Sequence, residues 1–212
     1  MRRCLLSLFL FAALSCGCIA VRSDGSNPKH SSTHAMKVPE FGNANVREAA
    51  AQPKLKLPLI KPRIQVWKAK RKLELFSGEK IVRTYHVGLG LSPVGDKVRE
   101  GDRRTPEGDF YVFTRNDKSA FYLSLGLSYP NLAHAKRGLR DGLITQAQYD
   151  RIAVAINSKR GPPQNTALGG LIYIHGNGAR TDWTWGCVAL ENEDVKELYD
   201  AVPIGTPVKI SP

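Results

Sequence analysis

The chain has 212 residues, of which 42% are hydrophobic, a composition ordinary for a globular protein with one core. It carries 31 Lys and Arg against 19 Asp and Glu, so its formal net charge is +12. This charge favours contact with polyanions such as acidic polymers and anionic lipid surfaces. The composition excludes a predominantly disordered chain. Nucleic acid is not expected as a partner, because no motif combines basic and aromatic residues as RNA-binding proteins do.

Residues 1–20 have the pattern of a secretory signal, since two arginines precede an apolar run that is too short to span a bilayer comfortably. Cleavage after Ala20 would release a soluble product. Alternatively, Cys16 or Cys18 would be acylated after cleavage, and the lipid would anchor the protein to a membrane. We therefore expect an exported protein of the periplasm or cell envelope, either free or anchored by lipidation.

Residues 21–58 are predicted to form a flexible linker, because Ser, Thr and Pro are frequent there and no apolar period is present. Residues 59–212 then form the folded domain. Three of the four cysteines lie within residues 1–20, which leaves Cys187 as the only thiol of that domain. An exported chain with one thiol cannot form an internal disulfide, so this thiol is either reactive or liable to cross-link.

The folded domain begins with alternating apolar and polar residues, a pattern typical of strands. Strands are predicted at 63–67, 72–76, 80–90, 109–114 and 121–125, with a later closing strand at 203–210. Helices are predicted at 131–139, at 146–158 with Thr145 as N-cap, and at 192–199 with Asn192 as N-cap. The first two helices form an insertion that is either a lid or a packing element. The pattern predicts a mainly β (α+β), β-sandwich-like domain with peripheral helices.

The segment I-Y-I-H-G-N-G-A-R-T-D-W-T-W-G-C-V-A-L, at 172–190, places a His and a Cys on either side of a polar connection. The apolar run 171–174 predicts a strand that ends at His175, and a second run, 187–190, follows Gly186. A thiol attacks as thiolate, and a nearby imidazole can take its proton, so the pair indicates covalent catalysis. A thiol paired in this way is expected to react below the ordinary thiol pKa of about 8.5.

Two motifs in this domain resemble those of the L,D-transpeptidase catalytic domain family. His175-Gly176, followed after a loop by Thr184-Trp185-Gly186-Cys187, is similar to the family's His-Gly and Ser/Thr-X-Gly-Cys pattern. The stretch G-D-R-R-T-P-E-G-D-F at 101–110 is similar to its G-D-x-R-T-P-E-G stretch, and the resemblance covers residues 64–210. Many members have a second His directly before Gly-Cys. This chain has Trp185 there and resembles instead a subgroup with D-W-T-x-G-C.

The resemblance implies a cell-wall enzyme that acts on peptidoglycan stem peptides. Such an enzyme breaks the bond between the diamino acid and D-Ala and forms a thioester on its cysteine, here Cys187. His175 would be the proton acceptor and donor. The implied oxyanion hole consists of the backbone N–H groups of Trp185, Gly186 and Cys187. Candidate substrate-binding residues are Thr184, Gly176 and Arg180.

The acceptor that resolves the acyl-enzyme is left open by the sequence. It could be a stem amine, the amine of a wall-anchored lipoprotein, or water, and water would make the protein an L,D-carboxypeptidase or amidase-type hydrolase. A non-catalytic wall-binding module is the competing class. No cofactor and no metal is predicted, because nothing supplies a second His beside His175, Asp182 and Cys187. The cations nearest the motifs are Arg103, Arg104 and Arg180, and each is either a ligand for a stem carboxylate or a solvated surface residue.

Overall fold

The computed structural model describes residues 53–212, so the predicted signal and most of the predicted linker lie outside the described residues. The strands are β1 (Arg63–Trp67), β2 (Lys72–Ser77), β3 (Lys80–His86), β4 (Gly108–Ser119), β5 (Tyr122–Leu127), β6 (Tyr173–His175), β7 (Val188–Ala189) and β8 (Pro207–Ser211). The helices are α1 (Leu132–Arg140), α2 (Gln146–Asn157) and α3 (Asn192–Ala201). The prediction of a mainly β fold with peripheral helices is confirmed. None of the helices within residues 53–212 is long and apolar enough to cross a membrane.

The strands form one sheet in the order β3-β2-β1-β8-β4-β5-β6-β7. The β1–β8 and β6–β7 pairs are parallel, and the other pairs are antiparallel. The sheet curls so that its two ends meet, because Gly88, just after β3, bridges Ala189 of β7. A second bridge joins Gly90 to Thr184. The curling therefore brings the segment after β3 against the loop that precedes Cys187.

The curled sheet and α3 enclose the main hydrophobic core. Ile174 of β6 and Val188 of β7 are fully buried in it and pair with each other across the two strands. Because side chains alternate along a strand, the residues next to this pair point to the opposite face. The core thus determines which face of the sheet carries the predicted catalytic side chains.

Several predicted boundaries differ from the observed ones. The third strand ends at His86 instead of Gly90, because the following residues turn away to form the isolated bridges. Leu171 was expected inside a buried strand, but it is 60% exposed and has a φ of +55°. The predicted cap of the last helix is wrong by one residue, since Glu191 is the N-cap and makes no side-chain cap bond. The side chain of Asn192 instead accepts a hydrogen bond from the N–H of Asn177.

Helices α1 and α2 pack on each other through a smaller apolar cluster, and Thr145 caps α2 as predicted, within a full capping box. A partly buried carboxylate, that of Asp96, joins this pair of helices to the rest of the domain. Asp96 lies 3.0 Å from the Nε2 atom of His134 and 2.8 Å from the Nη1 atom of Arg137, both on α1. Burial opposes ionisation of Asp96, but these hydrogen bonds and one from the N–H of Glu107 outweigh it and lower its pKa.

Replacing Asp96 by Ala should lower the free energy of unfolding by about 2 kcal/mol, because the buried ring of His134 loses an acceptor. Urea denaturation followed by circular dichroism measures this change. The control is Asp141→Ala, which removes only the exposed pair with Arg140 and should leave the midpoint unchanged. An unchanged midpoint for Asp96→Ala would show that apolar contacts alone hold the helices in place.

Candidate active site

The register of β6 and β7 brings the two predicted catalytic residues to one face of the sheet. Ala189 pairs with His175, so Cys187 lies one strand across and two residues back from the histidine. A strand spacing of about 4.8 Å and a rise of about 3.3 Å per residue place their Cα atoms about 8 Å apart. An imidazole and a thiol that leave the same face can span this distance. The register thus puts the predicted dyad on the same face of two adjacent strands.

His175 is buried, and its ring is held on three sides. Its Nδ1 atom lies 2.7 Å from the carbonyl oxygen of Gly176, so Nδ1–H donates there and Nε2 is left as the proton acceptor. The ring centroid lies 4.6 Å from that of Phe121 and 5.5 Å from that of Trp183. Burial lowers the pKa of His175, and the hydrogen bond to Gly176 only partly opposes this. The imidazole is therefore neutral at neutral pH and able to accept a proton.

The sulfur of Cys187 forms hydrogen bonds with two backbone groups. Its thiol donates to the carbonyl oxygen of Leu171 at 3.4 Å and accepts from the N–H of Tyr173 at 3.4 Å. The residue is partly accessible to solvent, yet burial of the sulfur by the surrounding chain raises the pKa of Cys187 to about 11. The expectation of a lowered thiol pKa is therefore wrong for this geometry. A neutral imidazole cannot stabilise a thiolate as an imidazolium would.

The turn at residues 184–187, which carries the predicted nucleophile and is called the nucleophile turn below, is held by Thr184. This residue is buried, and its hydroxyl donates to the carbonyl oxygen of Cys187 at 2.8 Å and accepts from the N–H of Gly186 at 3.1 Å. Thr184 thus supports the turn, and its expected contact with substrate stays a prediction. The N–H of Gly186 is also occupied, which removes it from the predicted oxyanion hole. For the N–H groups of Trp185 and Cys187, residues 53–212 supply no acceptor.

The nucleophile turn packs closely against the loop that carries the motif at 101–110. Gly186 has a φ of +130°, and a Cβ there would lie 2.7 Å from the carbonyl oxygen of Arg104. At Gly90 a Cβ would lie 2.2 Å from the carbonyl oxygen of Arg103. Only glycine permits such approaches of backbone to backbone. The two motifs, far apart in sequence, therefore pack directly on each other.

Asp182 fixes a second point of the loop between His175 and Cys187. Its Oδ1 atom accepts from the N–H of Leu89 at 2.9 Å, and its Oδ2 atom lies 2.7 Å from the Nη2 atom of Arg71. The sequence presents Asp182 as part of the D-W-T-x-G-C motif and as a possible metal ligand, but it does not indicate this ion pair. Its partner lies more than a hundred residues away, so no local signal pointed to the contact. Within residues 53–212, no group of three or more His, Cys, Asp or Glu side chains is arranged to hold a metal ion.

Lys97 is a further residue of the site that the sequence did not indicate. It is only 3% exposed, and its ammonium donates to Asp102 at 2.8 Å and to the carbonyl oxygen of Arg99 at 3.0 Å. Its charge opposes the rise in the pKa of Cys187. A lysine in a charged loop gives no sequence signal of burial. Only the folded chain shows that the charge of Lys97 acts on the pKa of Cys187.

The remaining predicted residues, Gly176 and Arg180, have different surroundings. The N–H of Gly176 donates to the carbonyl oxygen of Phe121 at 3.0 Å, and a Cβ there would lie 2.5 Å from the Oδ1 atom of Asn192. Gly176 therefore helps to position His175 through its carbonyl oxygen, and no side chain would fit at this residue. Arg180 is exposed and lines an open cavity of about 630 Å³ that Trp183 also lines. Its guanidinium remains accessible to a ligand.

The pH dependence of thiol alkylation tests the electrostatics of the dyad. Because burial raises the pKa of Cys187 to about 11, less thiolate is present at any given pH than in a free thiol. An ordinary thiol has a pKa of about 8.5. The rate at which iodoacetamide alkylates Cys187 should therefore continue to rise steeply above that pH. Mass spectrometry follows the adduct, and urea-unfolded protein is the reference. A midpoint below that value would indicate a stable thiolate–imidazolium pair instead.

Gly186→Ala tests the close approach at the nucleophile turn. The added Cβ would meet the carbonyl oxygen of Arg104, so we expect a loss of about 1–3 kcal/mol in the free energy of unfolding. Gly101→Ala is the control, because Gly101 also has a positive φ, +76°, but no atom lies within 4 Å of its Cβ position. Equal losses for the two variants would mean that only backbone strain, and no contact with Arg104, makes glycine necessary.

The chain is similar to several proteins of known structure. Pgp2, the helical cell shape determining protein of Campylobacter jejuni, in a mutant form, is 22% identical, with a TM-score of 0.50 over 72% of this chain and 47% of Pgp2. Bd1075 of Bdellovibrio bacteriovorus is 24% identical, with a TM-score of 0.47 over 72% of this chain and 48% of Bd1075. An L,D-transpeptidase of Xylanimonas cellulosilytica is 18% identical, with a TM-score of 0.44 over 75% and 64% of the two chains.

The likeness to Pgp2 concerns the fold alone, and this chain spans about half the length of Pgp2. No curated protein sequence matches the chain. A family model, the YkuD L,D-transpeptidase catalytic domain, matches residues 61–210. This range contains both motifs, the dyad and every strand except the last residue of β8. The protein therefore belongs to the L,D-transpeptidase catalytic domain family.

Proposed function

We propose that this protein is a cysteine-dependent L,D-transpeptidase that acts on peptidoglycan stem peptides. One observation carries the proposal: the hydrogen bond from Nδ1 of His175 to Gly176 leaves Nε2 as a proton acceptor on the face shared with Cys187. The lowered pKa of His175 keeps this nitrogen unprotonated at neutral pH. A neutral base beside a neutral thiol can form the nucleophile at the moment of attack.

The first step is acylation of Cys187. Nε2 of His175 takes the thiol proton while the sulfur attacks the carbonyl carbon between the diamino acid and D-Ala. The carbonyl oxygen becomes an oxyanion that the free N–H groups of Trp185 and Cys187 can stabilise. As the intermediate collapses, the carbon–nitrogen bond breaks, and the imidazolium gives its proton to the departing amine of D-Ala. A thioester on Cys187 and a neutral His175 remain.

The second step transfers the acyl group to an acceptor amine. The amine attacks the thioester carbon, and His175 accepts the proton that the new amide releases. The carbon–sulfur bond then breaks, and the same proton returns to Cys187. An amine from a second stem gives a cross-link, and an amine of a wall-anchored lipoprotein would give attachment. Water in place of the amine gives hydrolysis.

We place this reaction outside the cytoplasm, in the periplasm or cell envelope. The proposal rests on the signal pattern of residues 1–20 and on the net charge of +12, which favours contact with anionic polymers and lipids of an envelope. The stem peptide substrate is found in that compartment. Fractionation of cells that express the full chain would test this localisation.

Incubation with a muropeptide that carries a tetrapeptide stem should yield cross-linked dimers that have lost one D-Ala, identified by mass. Cys187→Ala should abolish the products, since no other described residue can replace the sulfur. His175→Ala should slow the reaction by about two to four orders of magnitude, the usual cost of losing a general base.

The control for histidine is His86→Ala, which alters an exposed residue outside both motifs and should keep the wild-type rate. Tripeptide monomers without dimers would assign hydrolysis instead of transfer. Wild-type rates in the Cys187→Ala variant would refute the covalent mechanism. Equal rates in the two histidine variants would make His175 a structural residue.

A further inference from the structure

An exposed arginine and an exposed tryptophan form a pair beside the nucleophile turn. The guanidinium carbon of Arg103 lies 4.9 Å from the ring centroid of Trp185, over the ring. Trp185 is 68% exposed and precedes Gly186 and Cys187 directly. A guanidinium that stacks on an aromatic ring keeps the N–H groups at its edge for other partners. The pair therefore presents hydrogen-bond donors at the rim of the candidate active site.

The backbone fixes the position from which this side chain extends. Arg103 has a φ of +57°, a left-handed conformation that residues with a Cβ rarely adopt. Its carbonyl oxygen accepts from the N–H of Ser92 at 3.0 Å and lies against Gly90, where no Cβ would fit. The fold thus holds a strained residue in place on the loop that packs against the nucleophile turn.

The guanidinium of Arg103 has no carboxylate partner within residues 53–212. The adjacent Asp102 is already engaged, since it accepts from Lys97 and from the backbone N–H groups of Val98 and Arg104. The side chain of Arg104 is directed elsewhere, with its Nη1 atom 3.4 Å from the carbonyl oxygen of Asp96. Neither arginine has a carboxylate partner within residues 53–212, but only Arg103 places its guanidinium over Trp185 at the rim.

We propose that Arg103 binds the free carboxylate of the terminal D-Ala of the donor stem and so selects stems that end at this residue. The proposal rests on the proposed function. In the donor, the carboxylate carbon is separated by three bonds from the carbonyl carbon that Cys187 attacks. A cation that binds it must lie beside the nucleophile turn, which is where Trp185 holds Arg103. Arginine forms two parallel hydrogen bonds with a carboxylate, so it also orients the leaving group.

Binding to the Cys187→Ala variant tests this assignment without turnover. The probes are two synthetic tetrapeptide stems, one ending in D-Ala with a free carboxylate and one ending in the D-Ala amide. Isothermal titration should show about ten-fold tighter binding of the acid than of the amide, because a charge-assisted bidentate pair is lost in the amide. Adding Arg103→Ala should reduce this ratio to about one, and Arg103→Lys should give an intermediate ratio.

Two further variants in the same Cys187→Ala background show whether the preference for the acid over the amide depends on Arg103 specifically. Arg99→Ala removes an equal charge from an exposed residue of the same loop and should leave the preference intact. Arg180→Ala tests the competing cation, which lines the cavity beside Trp183. Loss of the preference with Arg180→Ala but not with Arg103→Ala would overturn the proposal, as would equal binding of both peptides before any arginine is changed. A preference that depends on Arg103, in a protein that forms no muropeptide products, would refute the catalytic function alone.

Discussion

The site depends on the approach of two backbones that only glycine permits. The carbonyl oxygens of Arg103 and Arg104 lie where Gly90 and Gly186 would otherwise carry Cβ atoms. This packing sets the position of the nucleophile turn. The hydroxyl of Thr184 then stabilises the turn through hydrogen bonds to Cys187 and Gly186. The backbone of the motif at 101–110 thereby supports the turn that carries Cys187.

One physical cause, burial, sets the protonation states of both dyad members. It raises the pKa of Cys187 and lowers that of His175, so the folded protein favours the neutral form of each. The consequence is a weak nucleophile at rest beside a base that is ready to accept a proton. The buried charge of Lys97 moderates the effect on the sulfur, but its pairing with Asp102 limits this influence. In the proposed mechanism, activation of Cys187 therefore depends on proton transfer to His175.

The helical insertion contributes to the site through the segment that follows it. The Oε1 atom of Gln164 accepts from the N–H of Leu171 at 2.7 Å, and its Nε2 atom donates to the carbonyl oxygen of Tyr129. Leu171 is thereby held with a positive φ, and its carbonyl oxygen reaches the sulfur of Cys187. The insertion is a packed element that anchors one wall of the thiol site. Its attachment through Asp96 joins it to the loop of the second motif.

The sequence by itself determined the features that depend on near neighbours. Apolar alternation predicted most strands, Thr145 as N-cap predicted the start of α2, and the motif spacing singled out Cys187 and His175. Only the tertiary structure decided the contacts between distant segments, such as Asp182 with Arg71, because pairing across such separations leaves no local pattern. The direction of the thiol pKa was likewise decided by the fold. A pKa depends on burial and on every neighbouring charge, and these exist only once the chain has closed around the sulfur.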